Sequence, residues 1–132
     1  MDTPKRKPLI LIADDRSSSR ELLRTVLQRA GYDVMEADDG EVALEAARTG
    51  HPDLILLDLQ MPRLDGYGVI AQLRADERFR DLPVLALTAS AMRGDREKIM
   101  AAGFTDYLSK PAGPDLLRDA VARLLKAKES SE

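Results

Sequence analysis

The sequence contains no cysteine and only one histidine, and these two absences exclude several classes of site. Without cysteine, the 132-residue chain forms no disulfide, no thiolate zinc site and no cysteine nucleophile. His51 alone cannot build a multi-histidine metal centre and leaves little basis for a serine–histidine–aspartate triad. Any metal or phosphate chemistry must therefore rely on oxygen ligands and amino groups.

Long apolar runs and an excess of one charge are also missing. No apolar run approaches the roughly 20 residues that span a bilayer, and the charged N-terminal segment lacks the apolar core of a secretory signal. The formal net charge of −3, from 20 basic and 23 acidic residues, disfavours a general nucleic-acid binder. These absences predict a cytoplasmic protein with no membrane insertion and no direct nucleic-acid partner.

Short apolar runs alternate with helical periodicity along the chain, whose length and 44% hydrophobic content suit one domain. We expect a tail over 1–8, a domain over 9–126 and a polar tail over 127–132. Predicted strands lie at 9–13, 32–37, 54–57, 84–87 and 106–109, and predicted helices near 19–30, 42–50, 67–75, 95–102 and 114–126. Ser18 and Glu21 predict a capping box for the first helix. The alternation predicts a doubly wound α/β domain with a parallel sheet.

Four of the five predicted strands end in a residue that can do chemistry. These residues are the Asp14-Asp15 pair, Asp58, Thr88 and Lys110. Because the carboxyl ends of parallel strands meet at one edge, where such sheets bind ligands, we expect one shared site rather than caps and isolated surface charges. Carboxylates that meet there repel each other, and Mg²⁺ is the cation that hard oxygen ligands suit.

A cation at this edge would attract a phosphoryl group. Lys110 can neutralise one phosphoryl oxygen, and the Thr88 hydroxyl can donate a hydrogen bond to another. Asp58 is then the candidate nucleophile of an aspartyl-phosphate mechanism. The residues alone predict Mg²⁺-assisted phosphoryl transfer onto a carboxylate.

The ordered set of motifs resembles the CheY-like receiver domain of response regulators, over about Leu9 to Lys126. The matching motifs are Asp14-Asp15, Asp58 with Met61-Pro62 and Asp65-Gly66 after it, Thr88-Ala89, and Tyr107 ahead of Lys110-Pro111. The resemblance implies a five-stranded, flavodoxin-like (βα)5 fold with strand order 2-1-3-4-5. The apolar pattern by itself does not supply that order.

The resemblance also implies a role for each acidic residue. Asp58 would take a phosphoryl group from a phosphohistidine on a histidine kinase or a histidine phosphotransfer protein. Asp14, Asp15, Asp58 and the backbone carbonyl of Gln60 would hold Mg²⁺. The domain would not be an enzyme that acts on a separate substrate. It would catalyse only its own phosphotransfer and autodephosphorylation.

A conformational switch is the second implication of the resemblance. Thr88 would move toward the phosphoryl group while Tyr107 swings inward, which would change the surface of the fourth helix, fifth strand and fifth helix. Lys110-Pro111 would be a cis peptide bond. The residues expected to contact a downstream protein are Ala89, Ala91, Met92, Lys98 and Tyr107. We expect a stand-alone receiver, monomeric or weakly dimeric, that acts through that protein.

Two other classes of function are weaker, and one adaptor alternative stays open. Residues 66–71 match a dinucleotide fingerprint but do not directly follow a strand. A haloacid-dehalogenase-like phosphatase would need an acid where Gln60 stands. A receiver fold could also bind a partner without ever being phosphorylated, although the retained acids, Thr88 and Lys110 argue against this adaptor function.

Arg16 departs from the family pattern, because an acidic, polar or apolar residue more often follows the acidic pair. We expect either that its positive charge weakens Mg²⁺ binding or changes the lifetime of the phosphoaspartate, or that it faces solvent without effect.

Overall fold

The computed structural model describes residues 6–89 and 92–130, which form a five-stranded parallel sheet flanked by helices. The strands are β1 (Leu9–Ala13), β2 (Asp33–Ala37), β3 (Leu54–Asp58), β4 (Val84–Thr88) and β5 (Asp106–Ser109). Their order is β2-β1-β3-β4-β5, and every neighbouring pair is parallel. This confirms the predicted α/β fold and its strand order.

Within the described residues, four α-helices and one short 3-10 helix connect the strands, and a fifth α-helix follows the last strand. The helices are α1 (Ser17–Arg29), α2 (Gly40–Gly50), α3 (Gly66–Ala75), α4 (Arg93–Ala102) and α5 (Pro114–Ser130), with the 3-10 helix at Glu77–Phe79. Among the described residues, none of these helices combines the length and the apolar character needed to cross a bilayer.

The sheet separates two hydrophobic clusters because successive side chains of a strand point to opposite faces. Leu11 and Ala13 of β1 belong to the cluster beneath α2, α3 and α4, whereas Ile10 and Ile12 belong to the cluster beneath α1 and α5. β3 and β4 are buried along their whole length. The central strands therefore hold their carboxyl ends in fixed positions relative to one another.

The capping box predicted at the start of α1 is wrong. Ser18 lies inside the first turn, and the N-cap residue is Arg16, which makes no side-chain capping bond. The Asp14 carboxylate organises this turn instead, since it accepts hydrogen bonds from the Arg16 backbone N–H and from Ser19 Oγ. Ser18 therefore does not cap the helix, and it is the next residue, Ser19, that bonds to the residue after β1.

The last helix is also longer than predicted. α5 continues to Ser130 rather than ending near Lys126, so part of the predicted C-terminal tail is helical. Alanine, lysine and glutamate at 127–129 favour the helix, and neither glycine nor proline interrupts them. Residues 1–5, 131 and 132 of the two predicted tails lie outside the described part of the chain.

Gly66 lets α3 begin directly against the end of β3. A Cβ atom at this position would lie 2.7 Å from the Asp58 carbonyl oxygen and 2.8 Å from Leu59 Cα. Both neighbours are backbone atoms, so a side chain at this position would displace the strand end that carries Asp58.

We therefore expect Gly66→Ala to lower the free energy of unfolding by about 1–3 kcal/mol because of overpacking. Gly94→Ala is the matched control, since no atom of the described residues outside the adjoining helix backbone lies within 4 Å of its added Cβ and Gly94 is helical. The control should gain up to about 1 kcal/mol from helix propensity. Urea unfolding of both variants measures the difference, and equal effects at the two glycines would contradict the packing argument.

Candidate functional site

Three buried polar side chains meet where β1, β3 and β4 end. Asp14 follows β1, while Asp58 and Thr88 are the last residues of β3 and β4. Their residues are only 0%, 6% and 7% exposed, respectively. Because β1 and β3 are neighbours, the two carboxylates come together although 44 positions (58 − 14) separate them in the sequence. Asp15, the other member of the acidic pair, is exposed at the same edge.

Lys110 connects the two buried carboxylates. Its Nζ donates hydrogen bonds to Asp14 Oδ2 at 2.9 Å and to Asp58 Oδ2 at 3.0 Å. Its backbone N–H donates to the Thr88 carbonyl oxygen at 2.7 Å, which holds the end of β5 against the end of β4. The Lys110–Pro111 peptide bond is cis. The sequence placed this lysine at the site, and the structure shows that its ammonium group bridges both carboxylates.

Asp14 is held by neighbours that the sequence did not single out. Ser19 Oγ donates to Asp14 Oδ2 at 2.5 Å, and the Arg16 backbone N–H donates to Asp14 Oδ1 at 2.9 Å. Arg20 Nη1 reaches the backbone oxygen of Asp14 at 2.8 Å. The serine cluster at the start of α1 was a visible signal, but it was assigned to helix capping rather than to the site.

The two carboxylates differ in their acidity. Burial raises the pKa of Asp58, and the hydrogen bonds from the Gln60 backbone N–H and Lys110 offset this only in part. Burial also acts to raise the pKa of Asp14, but hydrogen bonds from Ser19, Arg16 and Lys110 outweigh it, so that this pKa is lowered. The pKa of Lys110 is raised, because its two carboxylate partners outweigh its burial.

Asp14, Asp15 and Asp58 form the acidic cluster that could hold a metal ion. Each offers one carboxylate oxygen, and the three oxygens lie within 4.8 Å of one another. Oxygen donors without sulfur or imidazole fit Mg²⁺ better than a transition metal. Gln60 lines the same cleft of about 590 Å³, and its backbone N–H donates to Asp58 Oδ1 at 3.0 Å. The residues present therefore fit the predicted cation.

A second cleft, of about 940 Å³, lies between α4, β5 and α5. Tyr107 of β5 lines it and is half-buried, with the Arg96 guanidinium 5.7 Å from the centroid of its ring. Met100 of α4 and Leu116 of α5 expose apolar surface beside it. The structure thus places Tyr107 at the border between the core and an open surface.

The other residues expected at the partner surface do not all lie beside this second cleft. Ala89 and Met92 are exposed, and Met92 is 74% accessible. Lys98 lies apart from the second cleft, because its Nζ packs 4.7 Å from the ring centroid of Tyr67 on α3. Ala91 lies outside the described residues.

Comparison with known proteins identifies the family of this site. Residues 10–122 match the family model of the response regulator receiver domain. The chain belongs to the response-regulator receiver family. The polar-differentiation response regulator DivK of Brucella ovis is 41% identical over 102 residues, which cover 77% of this chain and 83% of DivK.

Longer relatives match as well. A probable transcriptional regulator, ycf27, of Porphyridium aerugineum is 42% identical over 121 residues, covering 92% of this chain and 49% of the relative. The chain spans about half the length of the ycf27 relatives that it matches. The expectation of a stand-alone receiver therefore stays a prediction.

Solved structures of receiver domains resemble this chain in both fold and sequence. The receiver domain of the sensor histidine kinase PA1611 from Pseudomonas aeruginosa, solved with magnesium in its active-site cleft, is 36% identical. It superposes with a TM-score of 0.85 over 92% of this chain and 99% of that domain. The Vibrio cholerae chemotaxis protein CheY4 is 31% identical with a TM-score of 0.85, covering 90% and 99% of the two chains.

The opposite pKa shifts of the two carboxylates predict opposite effects on stability. In the absence of Mg²⁺, Asp58→Asn should raise the free energy of unfolding at neutral pH, because the raised pKa means that ionised Asp58 opposes folding. This gain should disappear as the pH falls through the folded-state pKa toward the ordinary value of 3.8, where the wild-type carboxyl is itself neutral.

Asp14→Asn should lower the free energy of unfolding at neutral pH. The lowered pKa of Asp14 contributes stability above its ordinary value of 3.8, and that stability is lost as the pH falls through the lowered folded-state pKa. Urea unfolding of both variants across this pH range checks the two signs. Destabilisation of similar size by both substitutions would contradict this description of the site.

Proposed function

We propose that this domain is the phosphoacceptor switch of a cytoplasmic two-component or phosphorelay system. Asp58 would take a phosphoryl group from a phosphohistidine of a histidine kinase or a histidine phosphotransfer protein. The single observation that carries this proposal is the Lys110 ammonium within 3.0 Å of both Asp14 and Asp58, beside the buried Thr88. The domain would catalyse only its own phosphorylation and dephosphorylation.

The proposed chemistry uses six residues of the site. An Asp58 carboxylate oxygen would attack phosphorus, so that a P–O bond forms while the P–N bond to the donor imidazole breaks. Lys110 would exchange its contact with Asp58 for one with a phosphoryl oxygen, and the Thr88 hydroxyl would donate to another. Asp14, Asp15, Asp58 and the Gln60 carbonyl would hold Mg²⁺, which when bound would neutralise charge on the transferring group.

Phosphorylation would reach the surface through Thr88 and the end of β5. Lys110 is tied to Thr88 through its backbone and lies three residues after Tyr107. A new dianionic group at Asp58 would draw both Lys110 and Thr88 toward it, which favours a second arrangement of β5 and the adjoining cleft. We propose that a downstream protein binds the surface formed by α4, β5 and α5.

Incubation with acetyl phosphate and Mg²⁺ tests the proposal directly. Intact-mass spectrometry should show the addition of one phosphoryl group to the wild-type protein, and chelation of Mg²⁺ should abolish it. Asp58→Asn should show no addition, whereas the matched control Asp119→Asn, at an exposed acid of α5, should behave as wild type.

The adaptor alternative makes the opposite prediction. A domain that binds its partner without phosphorylation would gain no Asp58-dependent adduct, and it would be captured by that partner equally with and without beryllofluoride.

Arg16 lines the cleft beside Asp15, and its side chain is exposed. If its charge opposes the cation, Arg16→Ala should tighten Mg²⁺ binding by about twofold to fourfold, as expected for one screened charge. Isothermal titration measures the affinity, and decay of the phosphorylated protein measures the phosphoaspartate lifetime. Unchanged values of both would show that Arg16 faces solvent without effect.

A further inference from the structure

The loop that follows Asp58, residues 59–65, is fastened to the start of α2 by an ion pair. Arg63 Nη1 donates to Asp39 Oδ2 at 2.6 Å. We propose that Arg63 and Asp39 are positioning residues for the phosphorylation site, because they hold the loop that presents Gln60 to Asp58 and to the cation. This inference rests on the proposed function and adds two residues to that site.

Asp39 stands out by its burial. Among the described residues, the buried polar or charged side chains are Asp14, Asp39, Asp58 and Thr88, and only Asp39 lies outside the site at the strand ends. It is 5% exposed and caps α2, since its Oδ1 accepts a hydrogen bond from the Val42 backbone N–H at 2.8 Å. Its second oxygen is directed to Arg63, so the same carboxylate serves both the helix and the loop.

The loop backbone lies directly on the first residue of α2. A Cβ atom at Gly40 would lie 1.9 Å from the Leu64 carbonyl oxygen, so only glycine permits this approach. Arg63 itself adopts a left-handed conformation with a φ of 67°, which is unfavourable for a residue with a side chain. A backbone conformation of this kind persists only where surrounding contacts hold it, and the ion pair is such a contact.

Arg63 lies only three residues after Gln60, which belongs to the site. The Gln60 backbone N–H donates to Asp58 Oδ1, and the Gly66 N–H donates to the Leu59 carbonyl oxygen at 3.1 Å. The loop is therefore closed at its base, and a shift at Arg63 would be transmitted to Gln60. The Asp39 side chain is buried, but that of Arg63 is 65% exposed, and an ion pair with a solvent-exposed partner contributes little to stability. We therefore expect the pair to act chiefly on the geometry of this loop.

Electrostatics alone and a positioning role predict opposite changes in Mg²⁺ affinity for the Arg63→Gly variant. Arg63→Gly removes a positive charge from the loop that carries Gln60, and the removal of a positive charge by itself would tighten Mg²⁺ binding if it had any electrostatic effect. Glycine also tolerates the left-handed conformation, so this substitution introduces no backbone strain. If Arg63 positions the loop, the same variant binds Mg²⁺ more weakly despite the favourable charge change.

The experiment compares Arg63→Gly, Arg63→Lys and Asp39→Asn with the wild-type protein by isothermal titration with Mg²⁺ alone. We expect Arg63→Gly and Asp39→Asn each to weaken Mg²⁺ binding by about threefold to tenfold, which is less than the roughly 10-fold to 100-fold loss seen when a residue bonded directly to a metal ligand is removed. Arg63→Lys should restore the affinity to within about twofold. The double variant should be no weaker than either single variant, because both break one interaction.

Asp38→Asn is the matched control for the charge lost in Asp39→Asn. Asp38 is the exposed neighbour of Asp39, and its substitution removes the same charge without breaking the pair. Mg²⁺ affinity in Arg63→Gly that equals or exceeds the wild-type affinity would overturn the proposal, as would equal losses in Asp38→Asn and Asp39→Asn. A purely structural role would lower the free energy of unfolding and leave Mg²⁺ affinity unchanged.

A second measurement tests the positioning role without any bound Mg²⁺. In the metal-free protein, the Gln60 amide should exchange with solvent about threefold to tenfold faster in Asp39→Asn, which leaves the loop sequence intact, as well as in Arg63→Gly, while the Leu56 amide of β3 should not change. An unchanged Gln60 exchange rate would contradict the proposal. If the wild-type protein binds no Mg²⁺, the proposed function fails, and this amide measurement still tests the positioning pair.

Discussion

The structure depends on one lysine placed between two buried carboxylates. Two ionised acids at the ends of neighbouring strands would oppose folding, because each has lost most of its water and each repels the other. Lys110 offsets part of this cost at both carboxylates, through hydrogen bonds of 2.9 Å to Asp14 and 3.0 Å to Asp58. Strand order is what makes this possible, since β1, β3, β4 and β5 are consecutive in the sheet.

The same arrangement gives the two carboxylates different environments. Asp14 has a lowered pKa and three stabilising partners, whereas Asp58 has a raised pKa and is bound to groups that could turn to a new ligand. Pairs of carboxylates with diverging environments commonly take different roles in one reaction. In the proposed reaction, Asp14 would remain a ligand of the cation and Asp58 would be the group that reacts. The proposed role of the Arg63–Asp39 pair is to hold the loop after Asp58 in position.

Sequence reasoning recovered what depends on periodicity and missed what depends on local competition for hydrogen bonds. The buried strands β3 and β4 were predicted to within one residue, because continuous apolar runs leave few alternatives. The family resemblance, and not the apolar pattern, supplied the strand order. Ser18 was misassigned as a cap because the Asp14 carboxylate, just after β1, accepts hydrogen bonds from the Arg16 backbone N–H and from Ser19 Oγ, and the capping pattern does not reveal these local contacts. The contacts of Lys98 with Tyr67 and of Asp39 with Arg63 join residues that are distant in the sequence, so the sequence pattern did not reveal them.

A crystal structure of the protein with Mg²⁺ and beryllofluoride would show whether Lys110 serves both buried carboxylates and an incoming phosphoryl group. We expect beryllium bonded to an Asp58 carboxylate oxygen, with Lys110 Nζ moved from that carboxylate to a fluorine atom and still close to Asp14. Thr88 should donate to a second fluorine atom, and the cation should lie among Asp14, Asp15 and the Gln60 carbonyl. Absence of beryllofluoride at Asp58 under saturating conditions, with Lys110 still bridging Asp14 and Asp58, would contradict the account.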